Sequence, residues 1–208
     1  NKILISEEKI DDENSVIGLF DPKKNNFNLN MWSETDGTEI KKIIKRINKL
    51  NLSKFSENLF FQTLFTNAYP PKKNLTSDEF LDIKINWLIK KRKIEELEDF
   101  LRLNKEVGKK SIVIETLIAE YLSTADIKSA CEKIKFVDRG VENNFLEQFN
   151  IYCLINNGKK DEAQLIFDLK KELGFSDKYF ENKINYLLGY NDEIETSISE
   201  NSILDFHL

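Results

Sequence analysis

The sequence predicts an all-α protein, a stack of helical hairpins that follows a partly irregular N-terminal segment. Only 7 Gly and 3 Pro interrupt 208 residues, so residues that break helices are scarce. Apolar residues also recur at intervals of about 33 residues, a period typical of stacked helical repeats. A short polar stretch follows each recurrence, as expected for the turn between two helices of a hairpin.

The repeat is marked by four anchor residues, Trp87, Tyr121, Cys153 and Tyr186, each followed by Leu and separated by 34, 32 and 33 residues. The residue seven positions before each anchor is apolar, and the residue four positions before is apolar in three cases. This spacing places them on one face of a helix. The predicted repeat core comprises Phe80, Ile83, Trp87, Leu88, Ile114, Leu117, Tyr121, Leu122, Leu146, Phe149, Leu154, Ala163, Phe167, Tyr179 and Leu187.

A second helix is expected after each polar turn. The turns read KKRK, STAD, NNGKK and GYND, and ten residues past each anchor stand Leu97, Cys131, Ala163 and Thr196. A small residue there suits close helix packing in the middle units. The fourth unit is polar at this position, so it is either a degenerate last repeat or a false extension. The predicted repeats span residues 76–108, 109–141, 142–174 and 175–208.

The third unit resembles a tetratricopeptide-type repeat. Gly158 opens the run GKKDEA, Ala163 closes it, and Phe167 follows four residues later, as in the turn and second helix of that family. Departures from the family pattern are Ile151 and Lys170 at positions expected to be small. Over residues 76–200 the resemblance implies a right-handed superhelical stack, a TPR-like α-solenoid, whose concave face holds a protein or peptide partner.

The whole chain is also similar to a group of uncharacterised, exported bacterial helical-repeat proteins. The similar stretches are NAYPP at 67–71 and CLINNGKKDEA at 153–163. This resemblance implies no activity, and it favours a periplasmic or secreted location over a cytoplasmic one. Because the chain begins at Asn1 without a Met, we expect it to be a piece of a longer protein.

The segment before residue 76 is organised differently. Residues 1–35 are polar and are predicted to be irregular except for VIGLF at 16–20. Residues 36–75 are predicted to hold two helices, the first capped by Asp36. Two prolines at 70 and 71 then end the second helix. Thr76 with Glu79 forms a capping-box signal for the next.

No catalytic, cofactor-binding or metal-binding residues are predicted. His207 is the one histidine and lies next to the last residue, so a Ser-His-Asp or Cys-His arrangement is not expected. The run Gly158-Lys159-Lys160 lacks the first Gly and the hydroxyl residue of a phosphate-binding loop. Two Cys and one distant His are too few for structural zinc.

Cys131 and Cys153 are the one ambiguous chemical feature. They fall on neighbouring helices of adjacent units, so a disulfide between them is predicted. Counted from the intervening turn, they are out of step by about 8 Å, which strains the geometry of the bond. Two separate buried thiols remain the alternative.

Charge and hydropathy argue against two classes of function, nucleic-acid binding and membrane spanning. With 31 basic and 36 acidic residues the net charge is −5, which disfavours nucleic acid as a partner, and no apolar run is long enough for a membrane span. We expect a non-catalytic interaction or scaffold module with a protein or peptide partner. The alternative is a structural helical segment of a larger protein or enzyme whose active site lies elsewhere.

Overall fold

The structure, a computed structural model, describes residues 16–138, 140–193 and 196–208. These residues form ten α-helices and no β-strand, which confirms the predicted all-α class. Within them no helix is both long and apolar enough to cross a bilayer. The helices are α1 (Gly37–Ile47), α2 (Lys54–Phe65), α3 (Ser77–Lys90), α4 (Ile94–Leu103), α5 (Ser111–Ser123), α6 (Ile127–Lys133), α7 (Asn144–Asn156), α8 (Lys160–Glu172), α9 (Lys178–Leu188) and α10 (Ile203–His207).

The chain divides into two compact units, Asn1–Asn104 and Lys105–Leu208. The division falls inside the predicted first repeat, 76–108. Of the predicted irregular segment 1–35, residues 1–15 lie outside the described part. The first unit contains α1 to α4, and the second contains α5 to α10.

An aromatic cluster forms the core of the first unit. The ring of Phe61 stacks on Trp87 with centroids 5.4 Å apart, and Phe65 meets Phe100 edge to face at 5.4 Å. The segment 16–20 docks beside this cluster, where Leu19 and Phe20 donate backbone hydrogen bonds of 2.7 and 3.1 Å to the carbonyl of Phe65. These contacts tie the N-terminal segment to the C-terminal end of α2.

Helix caps follow the local sequence. The capping box at the start of α3 is confirmed, since Thr76 and Glu79 each accept a hydrogen bond from the other's backbone N–H. Asp36 caps α1 by accepting from the N–H of Thr38 at 2.7 Å. These hydrogen bonds satisfy backbone donors that the first turn of a helix leaves free.

Three consecutive hairpins share one turn geometry. In each of three helix pairs, α3 with α4, α5 with α6 and α7 with α8, the two helices pack against one another. Between their members stand Arg92, Ala125 and Gly158, spaced 33 residues apart, with left-handed φ angles of 51°, 57° and 76°. After each comes an N–H that bonds to the carbonyl five residues earlier, at 2.9 to 3.0 Å. This is the Schellman end of a helix.

The four anchors lie near the ends of their helices but not in one register. Trp87, Tyr121, Cys153 and Tyr186 lie two or three residues before the ends of α3, α5, α7 and α9. Trp87 and Cys153 stand five residues before the left-handed residue that follows, whereas Tyr121 stands four before it and Tyr186 three. Trp87 is buried and Tyr186 is 37% exposed. The regular 33-residue spacing therefore belongs to the turns rather than to the anchors.

The predicted repeat core divides into two sets by burial. The buried residues are Phe80, Trp87, Leu88, Ile114, Leu117, Leu122, Leu146, Phe149, Ala163 and Phe167. The half-buried ones are Ile83, Tyr121, Leu154, Tyr179 and Leu187. In α7 the buried residues are Leu146, Phe149, Ile151, Cys153 and Ile155, and Leu154 lies between them on the side of the helix that is less covered.

The fourth predicted hairpin, 175–208, has a different form. No helix begins near Thr196 in the described part of this region, and the second helix, α10, starts only at Ile203. It packs against α5, where the Nε2 atom of His207 lies 2.8 Å from the carbonyl of Leu122. Thr196 and Ser199 are polar and offer no apolar stripe for a helix to bury, so the chain returns to α5 through its last residues.

A disulfide joins Cys131 of α6 to Cys153 of α7, with Cα atoms 5.6 Å apart. The distance between the two Cα atoms is shorter than the offset of about 8 Å expected for two regular helices joined by a tight turn. Helix α6 is only seven residues long and continues into a 3₁₀ turn, Ile134–Phe136. This irregular end changes the position of Cys131 relative to the residues of α7.

The shared turn geometry predicts that exchanging Gly and Ala at two equivalent positions changes the free energy of unfolding in opposite directions. Gly158→Ala should lower the free energy of unfolding by about 1 kcal/mol, because a Cβ atom disfavours a left-handed φ. No atom lies within 4 Å of the added Cβ, so a clash does not contribute. Ala125→Gly should raise it by a similar amount. Urea unfolding measures both, and changes of equal sign would contradict the common turn geometry.

The disulfide should stabilise the second unit. It closes a loop with a sequence separation of 22, for which chain entropy predicts about 3 kcal/mol. The double variant Cys131→Ala, Cys153→Ala should lose this amount in urea unfolding. Reduced wild type is the control and should match the variant, whereas a reductant should leave the variant unchanged. Equal stability of oxidised wild type and variant would refute the expected contribution.

Candidate interaction surface

Helix α8 is held in the second unit by one narrow face. Ala163 and Phe167, one turn apart, are 0% and 1% exposed. The small side chain of Ala163 permits close approach to α7, and the ring of Phe167 meets Phe180 edge to face at 6.2 Å. Because these residues take the inward side, the opposite side of α8 faces away from the unit's core.

That opposite side carries a row of leucines. Leu165, Leu169 and Leu173 follow one another at intervals of four residues, and they are 72%, 54% and 73% exposed. Residues four apart lie above one another on a helix, so the three form one apolar ridge about 12 Å long. A contiguous apolar ridge bordered by charge is typical of a protein interaction site.

Acidic side chains border the ridge. Asp161, Asp168 and Glu172 are exposed, and none of the three makes an ion pair with a described residue; Asp168 accepts only an amide hydrogen bond from Gln164. The lysines of α8 are directed elsewhere, since Lys170 pairs with Glu147 and Lys171 with Glu181. We call Leu165, Leu169, Leu173, Asp161, Asp168 and Glu172 together the leucine face.

The leucine face was readable in the sequence but was not singled out there. Its signal is a helix with apolar residues on two opposite sides, Ala163 and Phe167 on one and the leucines on the other. A helix inside a hairpin needs only the first side for packing. The second side is apolar surface that the hairpin leaves exposed.

The basic turns of the sequence act within the chain. Lys91 pairs with Glu57 at 2.6 Å, Lys93 with Glu96 at 2.7 Å and Lys159 with Glu162 at 3.0 Å. The charges of these lysines are therefore balanced by acidic neighbours within the chain.

The most perturbed ionisable group is Lys84 in α3. Its side chain is buried, its Nζ atom donates a 2.6 Å hydrogen bond to the carbonyl of Ile17, and it lies 4.8 Å from the centre of the Phe80 ring. Burial away from water disfavours the ammonium and lowers the pKa of Lys84 to about 7. A cavity of about 10 Å³ adjoins it, which is room for one water molecule.

Lys84 begins one of two similar five-residue stretches that the spacing of the four anchors does not reveal. Residues 84–88 read KINWL and residues 183–187 read KINYL, 99 residues later. Lys183 is likewise buried and lies 5.2 Å from the centre of the Tyr179 ring, four residues before it. The first and fourth predicted repeats therefore share a buried lysine that packs over an aromatic ring.

The described residues contain no cluster of three or more His, Cys, Asp or Glu that could hold a metal ion. Lys84 faces a carbonyl and an aromatic ring, both of which can hold an ammonium group. The contacts of this lysine therefore account for docking of the segment 16–20.

The pKa of Lys84 predicts how stability depends on pH. Between about pH 7 and 10 the unfolded chain keeps the proton that the folded chain loses, so stability should rise with pH in this window. Relative to Lys84→Met the rise should reach at most about 1.4 kcal/mol per pH unit. Urea unfolding at several pH values measures both proteins. Parallel pH profiles would show that Lys84 is not desolvated.

Comparison with known proteins adds no family to this description. The chain matches no protein-family model, no curated protein and no solved structure. Its function is therefore inferred from its own side chains.

Proposed function

We propose that the chain is a non-catalytic protein-interaction module, and that its leucine face binds an amphipathic helix of a protein partner. The observation that carries this proposal is the ridge of Leu165, Leu169 and Leu173, each more than half exposed. Covering a leucine fully is worth about 1.5 to 3 kcal/mol. Three partly exposed leucines can therefore supply several kcal/mol toward the cost of association.

The acids define the chemistry of the partner. Asp161, Asp168 and Glu172 lack a described cationic partner, and they lie beside the ridge rather than within it. A helix that buries its apolar stripe on the ridge would gain from Lys or Arg at its border, because opposite charges steer the encounter and fix the register. The proposed partner segment is a helix whose apolar stripe is flanked by basic residues.

The 33-residue turn supports a TPR-like arrangement as part of this proposal. Arg92, Ala125 and Gly158 close three hairpins with one geometry, as repeated units should. A right-handed superhelical stack remains a prediction. The disulfide supports an oxidising location, periplasmic or secreted, because such bonds persist there.

A second candidate is a structural segment of a larger protein. Ile198 and Phe206 are 80% and 69% exposed, and further protein packed near them would cover both. In that case Ile198 and Phe206 would be buried from solvent in the assembled protein, and the leucine face would stay exposed.

Site-specific photocrosslinking tests the interaction module. A photoreactive residue at Leu169 should crosslink, in extract of the source cell, to a partner segment whose apolar residues follow helical spacing and are flanked by basic residues. The matched control is the same residue at Leu103, which is 62% exposed at the end of α4. Adding Leu165→Ser and Leu173→Ser should reduce crosslinking at 169. Equal crosslinking at both positions, or a partner segment without this pattern, would refute the proposal.

A further inference from the structure

A second surface of the chain has the opposite charge to the leucine face. Helix α1 buries Ile40 and Ile44 in the first unit, at 3% and 8% exposure, while Ile43 is 50% exposed. Leu50, in the turn that continues α1, is 59% exposed. Leu50 lies three residues beyond the last residue of α1, so the two exposed apolar side chains belong to the C-terminal part of α1 and the turn after it.

Cations border this apolar pair. Arg46 and Lys49 are exposed, and neither makes an ion pair with a described residue. The two lysines nearer the start of α1 are engaged, since Lys41 pairs with Glu79 at 2.8 Å and Lys42 with Glu39 at 3.0 Å. We call Ile43, Leu50, Arg46 and Lys49 the basic face of α1.

The two faces are complementary in hydrophobicity and charge. Ile43 and Leu50 lie in and just after α1, and Leu165, Leu169 and Leu173 run about 12 Å along α8. Each face places its free charges beside an apolar ridge, basic on α1 and acidic on α8. The basic face of α1 thus has the chemistry required of the helix that the leucine face binds.

Resting on the proposed function, we propose that the occupant of the leucine face is α1 of a second copy of this chain. The two surfaces in contact are different, so the association is heterologous. A single contact of this kind leaves one basic face and one leucine face free. If these two faces also pair with each other the assembly closes as a two-fold dimer, and otherwise further copies add to form a larger ring or an open chain.

Charge reversal tests the inference on the full chain. One variant carries Arg46→Glu and Lys49→Glu, and the other carries Asp168→Lys and Glu172→Lys. Each should self-associate on the order of tenfold more weakly than wild type in sedimentation velocity, because like charges then meet. Mixed in equal amounts, the two variants should regain association, since each altered face then meets a partner of opposite sign.

The control variant carries Lys128→Glu and Lys135→Glu. Both lysines are exposed and lie outside α1 and α8, and the change in net charge matches that of the α1 variant. It should associate like wild type. Wild type should form dimers or larger species at low ionic strength and should dissociate as salt screens the charges.

Several outcomes would overturn the inference. They are a wild type that stays monomeric at low salt, or reversed variants that fail to restore association when mixed. If wild type is monomeric while crosslinking at Leu169 still captures a basic helix of another protein, the proposed function stands and only the self-association fails. If neither is seen, both fail.

Discussion

The left-handed turn at the end of each first helix is the constraint on which the hairpins depend. At Arg92, Ala125 and Gly158 the backbone leaves the helical region once, and the following N–H returns to a carbonyl of the preceding helix. The next helix must then fold back on the first. Leu97, Ala130 and Ala163 are each fully buried on that second helix and are again 33 residues apart. Turn and packing therefore repeat together.

The turn also decides which side of α8 is free. Once Ala163 faces α7, helical geometry places Leu165 and Leu169 away from the unit's core. The leucine face is thus a consequence of hairpin packing combined with a sequence that keeps leucines where packing does not need them. In α1 the same logic applies, since burial of Ile40 and Ile44 leaves Ile43 outside. The proposed assembly uses surface that the fold itself leaves over.

Local features were predictable from the sequence, and long-range ones were not. The all-α class and the capping box of Thr76 depend on neighbouring residues, so their patterns can be read directly. The burial of Lys84 depends on a carbonyl 67 residues earlier, and the return of α10 to α5 depends on a contact over 85 residues. The half-buried state of Leu154 depends on which sides of α7 the other helices cover. A period of apolar residues carries no information about these contacts.

The most direct test is the solvent exposure of individual leucine methyl groups, measured by NMR with a soluble paramagnetic agent. In dilute protein the methyl signals of Leu165, Leu169 and Leu173 should relax strongly, while those of Leu88, Leu97 and Leu117, which are fully buried, should not. As the protein concentration rises, the α8 methyl groups should become protected together with those of Ile43 and Leu50. Protection of the α8 leucines in the dilute monomer would contradict an open leucine face, and with it the proposed role.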